Sequence, residues 1–423
     1  MRSRPLVLAC LLWAMASGGA LGCGGGSSEP ALPVSQVGTG HDWLDGGNEI
    51  EAKHVARVLT MGDADPQVKA LFVEARARLG GGTDQGLAAR FEICGEEVQN
   101  EPGRTTLLCE HALLGMELDD VAAGKPTPST QKRLDELLAT PSRDERVQQH
   151  AEYVLVERTL LPKVCVMPRL SLAEAYEVVV HELVHALSYQ PCQLMDSARS
   201  AEPAEAFRAK VLLSPGGEVD AYTASIPARL RLGQGGNALS APLIAFFDAK
   251  TFALRVPREQ MVTPILVAPP AGLGYGLNRM KDPRAELRIA LVSQLSLRRD
   301  LLAELVQRRR AAADVHAKNI PIHQHNIDAA RHNLEVARQR NDARLGAEWR
   351  AKLAASEAGQ ASARKMIDLC ASSEQRLATE LGEVEAEIAR LSVKSAAASG
   401  GEGQHLGDGS FQRVLGHGLG DQG

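Results

Sequence analysis

Two histidines and a glutamate stand together in the run His181-Glu182-Leu183-Val184-His185. On a helix, side chains four residues apart project from one face, so both imidazoles can reach a single ion. Zn2+ suits such a nitrogen pair, and Glu182, beside the first ligand, can take a proton from a water that the ion acidifies toward neutral pH. The hydroxide so generated can attack a peptide carbonyl. Leu183, Val184, Ala186 and Leu187 supply the side of the helix that faces a core. A chain of this length contains the pattern by chance roughly one time in a hundred, so the surroundings must carry part of the case.

A catalytic zinc needs a third protein ligand and an open position. Ser188 and Pro191 stand where the metzincin continuation would place Gly and His, so a carboxylate farther along is expected instead. Asp196, Glu202, Glu205, Glu218 and Asp220 are the candidates, each of which would otherwise be a solvated helix charge. Glu218 is favoured because it opens a helix after Gly216-Gly217, and glycine lets one backbone pack close to another. Tyr222, one turn beyond Glu218, and Tyr275, within Gly272-Leu273-Gly274-Tyr275-Gly276, could stabilise an oxyanion; ordinary packing is the competing reading of each. His316, His323, His325 and His332 form a second cluster, but no cysteine or carboxylate completes it at a recognised spacing, and a solvent-facing hairpin tip explains it better.

The elements that must position these groups are legible in part. Ser171-Leu172-Ala173-Glu174 is a capping box that starts a helix running to about Ser188, which carries the motif. Before it, Pro162 to Pro168 fence a short β-prone segment, read as an edge strand over Val164 to Met167 to which an extended substrate could add. Residues 48–79 predict two helices separated by Gly62 to Pro66. Runs at 90–98 and 104–114 flank Asn100-Glu101-Pro102-Gly103 and read as a hairpin, in which Cys94 would face Cys109. Cys165 and Cys192 are then the next plausible pair, with Cys370 left over. Residues 129–160 read as helical, 200–213 as a further helix, and 228–283 as loops and short elements. From 284 to 396 the abundance of Ala, Arg, Glu, Gln and Leu predicts long coiled-coil-like helices, bent at Asn319-Ile320-Pro321.

Composition sets the class. With 44% hydrophobic, 23% charged and only 4% aromatic residues, the 423-residue chain is expected to be α+β and mainly helical. A formal charge of -5 without a basic block excludes a nucleic-acid partner from the expectation. Residues 1–22, with Arg2, Arg4 and an apolar run at 6–16, read as an export signal. Ala20-Leu21-Gly22-Cys23 looks like a bacterial lipobox, which would anchor Cys23 to a membrane; secretion is the alternative. The expected organisation is then a flexible tether at 23–47, a catalytic domain at 48–283, a helical extension at 284–396 that could bind a protein partner, and a disordered Gly-rich tail at 397–423.

Pro162 to Pro168, His181-Glu182-Leu183-Val184-His185-Ala186 and Glu218-Val219-Asp220-Ala221 together resemble the signature of gluzincin peptidases. The nearest pattern is that of the mitochondrial peptidase family that processes and assembles an ATP synthase subunit, in which a Cys-bearing strand precedes H-E-L-I-H-A and a later E-V-x-A helix gives the third ligand. The resemblance implies a zincin-like domain with a small sheet, Zn2+ held by His181, His185 and Glu218, and a protein or peptide substrate. It spans Pro162 to Ala221, with a longer interval between His185 and Glu218, so it transfers the zinc chemistry and not the substrate or the assembly role. The expectation is a zinc-dependent peptidase of the bacterial cell envelope. The alternative is a non-catalytic lipoprotein whose helices act as a scaffold or binding module around a degenerate zinc site.

Overall fold

The computed structural model describes residues 43–44, 50–94, 103–233, 241–267 and 284–399. The export signal, the Cys23 anchor, the turn at Asn100 to Pro102, Tyr275 and the tail from 400 onward lie outside the described residues. Helices α1 (Ala52–Ala64), α2 (Lys69–Leu79) and α3 (Asp84–Ala88) come first, followed by strands β1 (Phe91–Ile93), β2 (Gly103–Thr106) and β3 (Cys109–Gly115). Helices α4 (Leu118–Ala123) and α5 (Pro128–Leu138) precede β4 (Ser142–Gln149), β5 (Tyr153–Leu160) and β6 (Lys163–Val166). The remaining elements among the described residues are helices: α6 (Leu172–Ser188), α7 (Pro191–Ser197), α8 (Ala204–Leu213), α9 (Glu218–Arg231), α10 (Ala241–Ile244), α11 (Val262–Val267), α12 (Ala285–Gln339) and α13 (Ala343–Ser399). The molecule is thus mainly helical, with two small sheets among the described residues and a long helical C-terminal region. No described helix is long and apolar enough to cross a membrane.

Helix α6 is the centre of the N-terminal body. Its apolar residues contact α1 and α2, the β2–β6 face and α9, and every residue from Ala175 to Leu187 is buried. The capping box forms as its sequence requires: Ser171 Oγ accepts from the Glu174 N–H at 3.3 Å, and Glu174 Oε2 accepts from the Ser171 N–H at 3.0 Å. At the other end, Arg143 Nη1 donates to the Ala186 carbonyl at 2.8 Å and Arg78 Nη1 to that of Leu187 at 3.1 Å, serving acceptors that have no partner within the helix. Loss of the N-cap in Ser171→Ala is expected to cost about 1 kcal/mol of stability, to be read as a lower urea midpoint at unchanged slope.

Several expectations are corrected. β1 and β2 do not form a hairpin; β6 lies between them, parallel to β1 and antiparallel to β2. β6 is therefore a central strand, not an edge. Proline is excluded only from paired ladder positions, and Pro162 and Pro168 fall just outside Lys163–Val166. This order also decides the disulfides, which join Cys94 to Cys165 and Cys109 to Cys192 rather than Cys94 to Cys109 and Cys165 to Cys192. Cys94 leaves β1 beside β6, whereas Cys109 belongs to the second sheet, next to α7. Among the described cysteines, Cys370 is free and buried.

Residues 142–160 are strands rather than helix: Tyr153-Val154-Leu155-Val156 is a nearly continuous buried β-prone run, and β5 is paired on both edges, by β3 and β4. The C-terminal bend lies at Arg340 to Asp342, with Asn341 at φ 50°, not at Asn319-Ile320-Pro321. Pro321 sits inside α12 on its exposed side, where water can serve the carbonyl that loses its donor.

The two long helices share a core with the second sheet and α7: Tyr153, Leu155, Met195, Leu291, Leu295, Leu302, Leu305, Leu377 and Val384 are buried together. Glu152, in the β4–β5 turn, fixes this docking from below. It accepts from Ser373 at 2.6 Å and from Arg376 Nε at 3.1 Å, while Arg309 donates to Ser373 and to the Met116 carbonyl.

Candidate metal centre

The capping box fixes where α6 begins, and the helical turn then places His181 and His185 side by side toward α9. Their Nε2 atoms are 3.1 Å apart. Glu218, the first residue of α9, meets them: Oε2 is 3.2 Å from His181 Nε2, and Oε1 is 3.4 Å from His185 Nε2. Glu177 on α6 and Arg229 on α9 pair at 3.0 Å, which holds the two helices in the register that brings Glu218 there. Among the described residues, His181, His185 and Glu218 form the group whose donor atoms lie within 4.8 Å of one another and could hold a metal ion.

The donor set fits a cation. All three side chains are buried, and Glu218 Oε1 has no partner nearer than His185 Nε2, at 3.4 Å, among the described residues. A buried carboxylate facing two ring nitrogens is costly unless a positive charge, on an ion or on an imidazolium, satisfies it. His185 Nδ1 is 2.7 Å from the Gly216 carbonyl, which makes Nδ1 the protonated nitrogen of the neutral ring and leaves the Nε2 lone pair toward Glu218. Without an ion the site carries a proton instead. Burial works against the charged imidazolium of His185, but Glu218, Glu182 and the Gly216 carbonyl together outweigh it and raise His185 to about 9. Burial likewise opposes charge on Glu218, yet His185 and His181 hold it at about 2.

No known protein family, curated protein or solved structure matches this chain. The functional reading therefore rests on the site itself.

Glu182 reaches Thr105 on β2. Its Oε2 accepts from Thr105 Oγ1 at 2.8 Å, and the same hydroxyl lies 2.9 Å from the Glu182 carbonyl. Burial pushes the Glu182 carboxyl up, partly offset by His181, His185 and Thr105. Tyr222 lies beside the donor group: its ring meets the edge of His181 with centroids 4.5 Å apart. The other carboxylates considered as ligands lie elsewhere. Asp196 pairs with Arg199, Glu202 faces Lys210 at 3.5 Å, Glu205 is exposed, and Asp220 Oδ2 accepts from the Gly216 N–H at 2.9 Å.

The second histidine cluster lies along α12, since the bend is farther on. His325 and His332 are exposed, and His323 packs over Gly359, where an added Cβ would approach the ring to 2.4 Å. Thr105 and Tyr189 are the site neighbours that the sequence does not single out. Gly216, at φ 69°, leaves one trace, the Gly-Gly pair; a Cβ there would fall 2.3 Å from the Tyr189 nitrogen.

Proposed function

We propose that this protein is a zinc-dependent peptidase with a zincin-like domain, in which His181, His185 and Glu218 would hold the ion. The observation that carries the reading is the buried convergence of two Nε2 atoms and a carboxylate from α6 and α9, with a second carboxylate, Glu182, one residue from the first histidine. Two nitrogens and an oxygen suit Zn2+, though other first-row divalent ions accept the same donors. The bound ion would acidify water and polarise the scissile carbonyl.

The protein's own groups do the rest. Glu182 accepts the proton of the attacking water and delivers it to the leaving amine, and a carboxyl raised by burial is better matched to both transfers near neutral pH. Thr105 holds that carboxylate in one orientation. Tyr222, whose ring packs on His181, would be the donor to the developing oxyanion. Among the described residues β2 pairs with β6 alone, so an extended substrate would add along the outer edge of β2, beside Thr105. Export to the cell envelope, with a lipid anchor at Cys23, belongs to the same proposal; two disulfides among the described residues support an oxidising compartment.

Purified protein should contain one zinc per chain and cleave an unfolded protein substrate, lose that cleavage on chelation and regain it when Zn2+ is restored. Failure to take up metal, or cleavage that persists after its removal, overturns the reading. Thr105→Val is expected to lower kcat about tenfold, in line with losing a hydrogen bond to a charged group, with metal content unchanged and Thr105→Ser restoring most of the rate.

A further inference from the structure

We infer that Asp220 and Arg258 are positioning residues that hold His185 in ligating orientation through the backbone of Gly216. The inference rests on the proposed metal site and extends it to two residues outside the donor group. His185 Nδ1 donates to the Gly216 carbonyl at 2.7 Å, and the Gly216 N–H donates to Asp220 Oδ2 at 2.9 Å. The other oxygen of Asp220, Oδ1, accepts from Arg258 Nη2. One peptide segment is thus gripped from both sides, by a histidine of α6 and by a carboxylate of α9.

The far end of this chain is anchored. Arg258 opens a 3-10 turn, Arg258–Met261, and Met261 is fully buried against α8, α9 and α11 with Leu212, Val219 and Ile265. The near end cannot slide, because Gly216 adopts φ 69° and presses on the backbone at Ser188 and Tyr189, immediately after α6. The position of the Gly216 carbonyl therefore depends on Asp220, and the direction of the His185 Nε2 lone pair depends on that carbonyl. Asp220 acts by hydrogen bonding to the loop and not as a ligand. This accounts for two neighbouring acidic positions on α9 facing different tasks.

The test uses the full chain and Co2+ as probe, with affinity measured by competition against a chromogenic chelator and geometry by the visible Co2+ bands. Asp220→Ala should weaken Co2+ binding about 10- to 100-fold and change the band intensities. Asp220→Asn keeps an oxygen that can accept the Gly216 N–H and should recover affinity to within a few-fold. Arg258→Ala, at a half-exposed side chain, should fall between the two. Asp220→Ala and Arg258→Ala that both bind Co2+ as tightly as the parent, with the same spectrum, would overturn the inference while leaving the metal site standing. A parent protein that takes up no Co2+ overturns the metal reading, and this inference with it. Metal binding without peptidase activity leaves the inference intact.

Discussion

Glu182→Gln is expected to lower peptide hydrolysis by about 10²- to 10⁴-fold while leaving the metal content of the protein unchanged. Gln keeps the volume of the side chain and an oxygen for the Thr105 hydroxyl, so the packing between α6 and β2 is preserved. What it removes is the ability to accept a proton. A neutral amide is also cheaper to bury than a carboxylate at a position that is 3% exposed, so no loss of stability should accompany the loss of rate. The measurement is kcat against an unfolded substrate together with bound zinc per chain, on parent and variant. Equal rates would remove Glu182 from the chemistry. A biological role that survives Glu182→Gln unchanged would favour a scaffold built on α12 and α13 over a peptidase.

The part of this site that can be read from the sequence is the part encoded over a few residues. The cap at Ser171 and Glu174, the four-residue spacing of His181 and His185, and the glycine pair ahead of Glu218 are each local, and each appears where the local pattern puts it. What the sequence does not reveal depends on contacts between distant segments. Thr105 reaches Glu182 only because β6 inserts between β1 and β2 and turns β2 toward α6. No spacing rule links residues 105 and 182. The disulfide pairing departs from expectation for the same reason, since a hairpin over 90–114 would pair Cys94 with Cys109, and the inserted strand pairs it with Cys165.

Helix signals are overridden in two places. The charged run Arg143-Asp144-Glu145-Arg146 resembles a solvated helix face, but it is the outer strand of a sheet whose central strand, β5, is buried. Pro321 suggests a break, yet α13 packs along α12 through Ile327, Ala330 and Ala363 and carries the helix past it. The turn is set instead by Asn341, one of the few residue types that accepts positive φ.

Metal uptake should be strongly coupled to pH, and the direction follows from the charges at the site. His185, raised to about 9, carries a proton in the metal-free protein at pH 7, and a ligating imidazole must be neutral, so each ion bound expels about one proton. Glu218, at about 2, is already ionised throughout this range and contributes nothing further. Affinity is therefore expected to rise about tenfold per pH unit from 7 to 9, roughly a hundredfold in all, and then to level off. The stability of the metal-free protein runs the other way. Because the folded value of His185 lies above its ordinary 6.5, its pairing with Glu218 stabilises fully below 6.5 and is lost as pH rises through 9. Glu218, held below its ordinary 4.5, stabilises above 4.5 and loses that contribution as pH falls toward 2. The metal-free fold is thus best supported between 4.5 and 6.5, and the gain in Tm on adding Zn2+ should be larger at pH 9 than at pH 6. Titration calorimetry at pH 7 in two buffers of different ionisation enthalpy counts the protons directly. Zinc binding with no proton release, or with an affinity flat between pH 7 and 9, would show that the Glu218 carboxylate does not hold a proton on His185 before the ion arrives.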